Sequence, residues 1–461
     1  MNRLRKYTPL LALTAVGALA GCNDFLTGGE LNTDPNRPTP ATVSPLQLFV
    51  GSQSNLWSEL NSDPARLAAM WTQQLRGANS QYTNLYNYNV SESTTNGFHT
   101  ALYSGGGLTD IRELERKTKE AGDSLFYGIA QITEAALIGT GADLFGDIVY
   151  SNAFSGPNPV PDKQLAVYDA LQVKLDSAIV MLAGKVAGTA GITNVGPGTA
   201  DLNYGGNATK WTKLAYTLKA RYYLHTAEVR GTSAYTSALA AAAKGITNPA
   251  DNYRAVFSGT PNQQNHYYQF VVVQRPGYLA ANTNFTTFVG TDPRLNLFYN
   301  AARTGLSAPL LQPGYDQPLV TAQENLLIWS EAAYRTGNEP LALTKLNEER
   351  ALWANQTIDP AVNATLPPIA AAGTQLLVEI LKEKYIALFG NFETWNDYKR
   401  TCYPNVTPPS TATGDVPVRL YYDIGERQTD TALLPPDQQP TRNENDPANA
   451  TDPLGVACKG Q

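Results

Sequence analysis

Charge is what this 461-residue chain has little of: Asp, Glu, Lys and Arg make up 16% of it, against about 25% in an ordinary globular domain. The 34 Lys and Arg against 40 Asp and Glu leave a net charge of −6, with no basic run beyond the leader. That excludes a nucleic-acid partner, which needs a basic face to neutralise phosphates. Histidine and cysteine are just as scarce. His99, His225 and His266, with Cys22, Cys402 and Cys458, follow no zinc or iron-sulfur ligand spacing, so no metal and no cofactor is assigned. Walker A, H-E-x-x-H, G-x-S-x-G and dinucleotide fingerprints are all missing, and the chain reads as a binding protein, not an enzyme. Beyond Leu10 to Ala20 no apolar run approaches the roughly 18 to 20 residues needed to span a bilayer.

What is present begins with the leader. Arg3, Arg5 and Lys6 precede the apolar stretch Leu10 to Ala20, and Leu19-Ala20-Gly21-Cys22 sets small residues directly before a cysteine. This is a lipoprotein signal: residues 1–21 are removed and Cys22 is acylated, which anchors the chain to a membrane without crossing it. Losing the three leader cations takes the net charge from −6 to −9. Residues 22–43, with Pro35, Pro38 and Pro40, read as an extended tether. In an exported protein Cys402 and Cys458 are candidates for a disulfide, though spacing alone does not show that they meet.

Residues 44–461 read as one mainly α domain. Ser44-Pro45 and Asp63-Pro64 open helices, and stripes of period 3.6 run through Leu125 to Ala136, Leu165 to Leu182, Trp211 to His225 and Leu377 to Phe389. Glu324 to Thr336 and Pro340 to Trp353, joined by Gly337-Asn338-Glu339, have the character of a tetratricopeptide hairpin without a strict repeat. The fold class is therefore degenerate tetratricopeptide-like hairpins interrupted by long irregular insertions, about 77–108, 184–208, 252–320 and 403–461, that form a ligand-binding subdomain. His225 lies on an apolar stripe and reads as a hydrogen-bonded core residue. Glu379 and Glu383, a helical turn apart, read as ion-pair partners of Lys382 or Arg400. Asp201-Leu-Asn203 lacks the distal acid of a calcium loop and reads as a turn.

Aromatics divide by type. All six tryptophans fall in or beside expected helices, as core. Tyr82, Tyr86 and Tyr88, among Asn84, Asn87 and Asn89, and Tyr267, Tyr268 and Tyr278, near Asn265 and Asn282, crowd the insertions. A sugar offers flat C–H faces ringed by hydroxyls, so rings beside amides suit it, and these six are the candidate ligand residues. Packing of the loops onto the frame is the competing reading of each ring.

Several blocks then match a known family in order. These are the lipid-anchor signal; Gly146-Asp-Ile-Val-Tyr150-Ser; Lys210-Trp211 to Arg221; Asp292-Pro-Arg294-Leu; and Ile380 to Pro404, with Glu383, Trp395 and Arg400. The chain resembles the SusD/RagB family of outer-membrane nutrient-binding lipoproteins. The resemblance implies four tetratricopeptide-like hairpins and capture of an oligosaccharide, or in some members a peptide, at the cell surface. Delivery to a TonB-dependent (SusC-like) transporter, without chemistry, is also implied. Trp211, Arg221, Glu383, Trp395 and Arg400 are structural in that family, and its ligand residues have no transferable motif. A surface-anchored glycosidase is the alternative from another class, because two carboxylates at suitable spacing leave no sequence signature.

Overall fold

Helix starts are fixed where the sequence places caps and prolines. In a computed structural model describing residues 42–94, 96–185, 195–446 and 451–458, helix α1 runs Pro45–Asn61 and α2 Asp63–Trp71, each with proline in its first turn. Asp123 caps α5 (Ser124–Phe145), its carboxylate accepting from Phe126 N at 3.0 Å. Asn207 does the same for α7 (Ala208–His225), Thr321 for α9 (Ala322–Arg335) and Asn338 for α10 (Glu339–Leu352). The remaining principal helices are α3 (Ser80–Tyr86), α4 (Leu108–Glu120), α6 (Gln164–Leu182), α8 (Thr232–Ala242), α11 (Gly373–Ala387) and α12 (Glu393–Thr401). The leader, Cys22 and the tether as far as residue 41 lie outside the described residues.

The molecule is mainly helical, as expected. Antiparallel neighbours α5 and α6, α7 and α8, and α9 and α10 pack as hairpins; α7 lies on α6, α8 on α9, and α11 on α9. α5 is buried on all sides, from Leu125 to Phe145, which makes it the central helix. It sits close against α7 because Gly139 has no side chain: a Cβ there would come within 2.2 Å of the Tyr222 hydroxyl. Small residues repeat this theme at the next joint, where Ala220, Ala227, Ala238, Ala242 and Ala332 bring α7, α8 and α9 together. Described residues from Pro45 onward pack as one unit, and no described helix is long and apolar enough to cross a membrane.

Five of the six tryptophans are buried, and Trp329 is partly so, with Lys345 Nζ 4.0 Å from its ring centre. Outside the intervals expected to be irregular, α8 and α12 were not expected. α8 is alanine-rich and lacks a stripe of large apolar residues; α12 is short and buries mostly polar side chains. The intervals expected to be irregular also hold order: α3 and the helix Asn96–Tyr103 lie within 77–108, and Thr283–Val289 within 252–320. Asp201 forms the expected turn, accepting from the backbone N of Asn203, Tyr204 and Gly206 and from Trp211 Nε1. Cys402 and Cys458 are paired, with Cα atoms 5.1 Å apart.

Buried charge ties the hairpins together. Arg221 donates to Glu324 Oε1 at 2.6 Å and lies 3.3 Å from Glu393. Glu393 in turn lies 2.8 Å from His225 Nε2, while His225 Nδ1 lies 2.9 Å from Asp143. Arg400 bridges to Glu331 and Asp397, and Lys384 reaches the same two acids. The expected partners of Glu383 were wrong. It is held by Arg294 and by Arg350 at 2.5 Å, while Glu379 accepts from Gln375. Both arginines lie beyond any local spacing: Arg294 is 89 residues away, Arg350 33.

Burial disfavours charge on His225, but Asp143 and Glu393 on either side outweigh it and raise its pKa from 6.5 to about 9. A raised histidine stabilises the folded state fully below pH 6.5 and loses that contribution as pH rises through 9. Thermal melts of the wild type should therefore lose about 3 kcal/mol of stability between pH 6.5 and 9 from this group. In His225→Gln that segment of the pH profile should flatten on a lower baseline, because two buried acids lose their cation; an unchanged slope would refute the imidazolium assignment.

Candidate ligand groove

Two insertions meet through a short ribbon. Strand β1 (Leu75–Gly77) runs antiparallel to β3 (Leu279–Ala281), with Leu75 opposite Ala281 and Gly77 opposite Leu279, and Ala78 N donates to Tyr278 O. α3 then folds directly back over β1. Only glycine permits this at position 77, since a Cβ there would fall 2.0 Å from Tyr82 O. The ribbon thereby brings Tyr82, Tyr86 and Tyr278 together from segments about two hundred residues apart in sequence.

Beside this ribbon lies an open groove of about 490 Å³. Polar side chains Gln81, Asn84, Asn89, Ser91, Ser93 and Thr94 line it together with Asp63 and Tyr82, over an apolar base of Leu67, Leu85 and Phe98. Tyr82 is fixed at the wall. Its hydroxyl donates to Asp63 Oδ1 at 2.8 Å and accepts from Arg66 Nε at 2.8 Å. Burial, with Asp63 nearby, holds this phenol protonated far above its ordinary range, so Tyr82 stays a neutral hydrogen-bonding group. Behind it, its ring centre lies 4.7 Å from that of Phe270 and 6.1 Å from that of Tyr278, and Arg66 lies 4.3 Å from the Phe270 ring centre. Near the lip, Arg427 pairs with Glu92, its Nη2 at 3.0 Å.

The six tyrosines do not form one stacking surface. Tyr82, Tyr88 and Tyr267 are buried, so protein already covers their ring faces. Tyr86 is half-buried and its hydroxyl accepts from Asn282 Nδ2 at 3.2 Å. Tyr268 and Tyr278 are half-buried on the segment of 252–320 that carries a π-helical turn at Gln269–Gln274, where Val272 and Val273 are exposed. Tyr267 faces elsewhere, into a second cavity. Asp63, Gln81, Ser91, Ser93 and Thr94 escaped the sequence reading. Asp63 had been read as a helix start, which it also is, and short polar residues carry no pattern. At Gly105-Gly106-Gly107, just before α4, the backbone donors are already used: Gly106 N donates to Asp110 Oδ2 at 2.6 Å and Gly107 N to Ser104 O.

Comparison with known proteins bears on fold and family. Residues 35–423 match the family model SusD-like_2, described as starch-binding associating with outer membrane. The chain belongs to the SusD-like family. A SusD/RagB family protein from Bacteroides thetaiotaomicron VPI-5482 is 21% identical with a TM-score of 0.69, covering 85% of this chain and 95% of that one. A SusD homolog from Bacteroides uniformis is 20% identical with a TM-score of 0.66, over 87% and 99%. A chitin-binding SusD homolog from Flavobacterium johnsoniae is 17% identical with a TM-score of 0.64, over 87% and 99%. At these identities the likeness establishes a shared fold. No curated protein matches the chain.

In this SusD-like chain Asn282 is the joint that holds the groove wall in register. Its Nδ2 donates to Leu75 O and to the Tyr86 hydroxyl, its Oδ1 caps the helix Thr283–Val289, and its N donates to the Tyr299 hydroxyl at 3.0 Å. Asn282→Ala should cost about 1 to 3 kcal/mol in chemical denaturation. Hydrogen exchange should show the amides of 78–89 opening more than those of α5. Uniform loss of protection would contradict the local role.

Proposed function

We propose that this chain is a cell-surface lipoprotein that captures oligosaccharides in the groove at residues 63–94 and passes them to a TonB-dependent outer-membrane transporter. Membership of a family described as starch-binding associating with outer membrane carries the reading. Chitin-binding members among its structural neighbours support it. So does the chemistry of the groove. Amides, hydroxyls and a protonated phenol meet a neutral, hydroxyl-rich ligand without burying an unpaired charge. Cys22 supplies the anchor, with outer-membrane location in keeping with the family description.

Hydrolysis is the weaker reading. Glycosidases place two carboxylates about the scissile bond, whereas among the described residues lining the groove Asp63 is the one carboxylate, and it is committed to Arg66 and Tyr82. Peptide capture on the same scaffold would call for groups that meet a charged backbone terminus, and the groove is dominated by uncharged side chains.

Affinity gels containing starch, chitin or other polysaccharides should retard the wild type. The double variant Asn84→Ala/Asn89→Ala should bind about five- to tenfold more weakly, and Tyr86→Ala and Tyr268→Ala less weakly than that. No reducing ends should appear on prolonged incubation. Release of product by purified protein would overturn the binding reading, as would free migration in every polymer tested. The anchor has its own test: Cys22→Ala should abolish incorporation of labelled fatty acid and shift the protein to the soluble fraction, and label retained by the variant would refute Cys22 as the acylated residue.

A further inference from the structure

Two parts of the groove are held in different ways. The ribbon belongs to segment 252–320, whose ends are themselves paired: strand β2 (Tyr253–Ala255) runs antiparallel to β4 (Gln317–Val320), with a register shift between Tyr253 and Arg254. The lip, residues 87–94, has no such ladder. It contributes Asn89, Ser91, Ser93 and Thr94 to the groove lining. Its hydroxyls bond within their own turn: Ser91 N donates to Thr94 Oγ1 at 3.1 Å, and the Ser91 and Ser93 hydroxyls lie 2.9 Å apart. Bonds of that kind shape the turn without fixing where it stands.

Contacts from outside the lip come from the tail. Thr411 Oγ1 donates to Asn87 Oδ1 at 2.8 Å, and Thr413 donates to Asn87 O from its N at 2.9 Å and from its hydroxyl at 3.2 Å. Further along the lip, Arg427 on the helix Ile424–Thr429 reaches both carboxylate oxygens of Glu92. Between these contacts the tail is fastened to the frame. Trp395 Nε1 of α12 donates to Pro417 O at 2.7 Å, Leu420 N to Leu144 O of α5 at 2.9 Å, and the Tyr422 hydroxyl to Asp147 O at 2.8 Å. Val416, Val418, Leu420 and Tyr422 are buried at alternate positions, the pattern of an extended segment lying on a surface. The Cys402–Cys458 disulfide closes the loop that carries these contacts. Along one stretch of chain, then, the frame contacts stand between two contacts to the lip.

We propose that segment 411–427 is a bracket that sets the position of the lip for the ligand, with Thr411, Thr413 and Arg427 as positioning residues that do not themselves meet the sugar. None of the three lines the groove, and Glu92, between Ser91 and Ser93, does not line it either. The ion pair therefore acts through the turn that carries the two serines. Hydrogen bonds weaken steeply with distance and angle, so a displaced lip loses several ligand contacts at once, and a lip held in place beforehand spares the ordering cost on binding. This inference rests on the glycan reading of the groove.

The test is calorimetric titration of the mature chain with maltoheptaose and chitopentaose, which carry no charge. Salt screens an exposed pair, so the wild type should bind about twofold more weakly as ionic strength rises from about 50 to about 500 mM, although no ion meets the sugar. Arg427→Gln should bind about two- to fivefold more weakly at low salt and lose the salt dependence, and the exchanged pair Glu92→Arg/Arg427→Glu should recover both. Thr411→Val/Thr413→Val should weaken binding about threefold and keep the salt dependence. Melting temperatures should stay at the wild-type value, while hydrogen exchange quickens at amides 88–94 and not in α5. Unchanged affinity in both Arg427→Gln and the threonine variant would overturn the bracket and leave the glycan reading standing, as would a lowered melting temperature with exchange quickened throughout. Should neither probe bind, exchange at 88–94 in Arg427→Gln decides the bracket, which stands if exchange quickens there and falls if it does not, and the polysaccharide gels decide the glycan reading by themselves.

Discussion

The paired charges around Arg221 are the constraint on which the frame depends. This guanidinium is buried between Glu324 of α9 and Glu393 of α12, and Glu393 is shared with His225 of α7, which also reaches Asp143 of α5. Four helices drawn from residues 124 to 401 thus meet at one charged centre. Each member would be costly to bury unpaired, several kcal/mol per ion, so displacing one helix strands charges on the others. The centre is completed from two more directions. Lys399 Nζ donates to Asp143 O at 2.7 Å, and the Asn445 amide donates to His225 O at 3.0 Å.

The same logic attaches the insertion to the frame. Arg294, fully buried, joins Asp292 on its own loop to Glu383 on α11, and Arg350 on α10 closes on the same carboxylate. Glu349 beside them is pushed well above the usual carboxylate range, first by burial and then by Glu383, and accepts from Trp353 Nε1. One consequence is positional. The ion pair that fastens segment 252–320 lies against the Trp353 ring, which packs on Phe298, and the β1–β3 ribbon leaving the same segment holds the open groove.

Sequence periodicity revealed the long helices because their buried residues recur every three or four positions, and prolines at first turns marked the starts of α1, α2 and α10. It did not reveal α8, whose buried face is alanine, or α12, whose buried face is Glu393, Asn396, Lys399 and Arg400. Polar residues look solvent-exposed until their partners are known, and those partners lie far along the chain. His225 was legible as a core residue from its place on an apolar stripe; that it bridges two acids was not. The groove was half legible. Amides and tyrosines clustering at 79–89 located it, yet composition is silent about which face of a ring is free, and Tyr82 proved to be a clamped wall residue. Asp63, Ser91 and Ser93 reach the same space only after α2, α3 and the following turn have folded.

The scarcity of charge and the uncharged lining of the groove have a common origin. Many of the chain's few ionic groups are buried: Arg221, Arg294, Glu324, Glu331, Glu383, Lys384, Glu393 and Arg400 all lie in the interior, paired with one another. Even the tail takes part. Asn443 donates to Asp143 O, and Asp446, its pKa pushed up to about 6 by burial and by Asp143, sits beside the same centre. Charge is thus concentrated where it fixes helices, while the groove is lined by Gln, Asn, Ser and Thr. A surface of this kind holds ligands by many weak, exchangeable hydrogen bonds with little ionic attraction. For the capture and release proposed above, that is the more useful arrangement: affinity scales with the number of contacts, and dissociation breaks no buried ion pair.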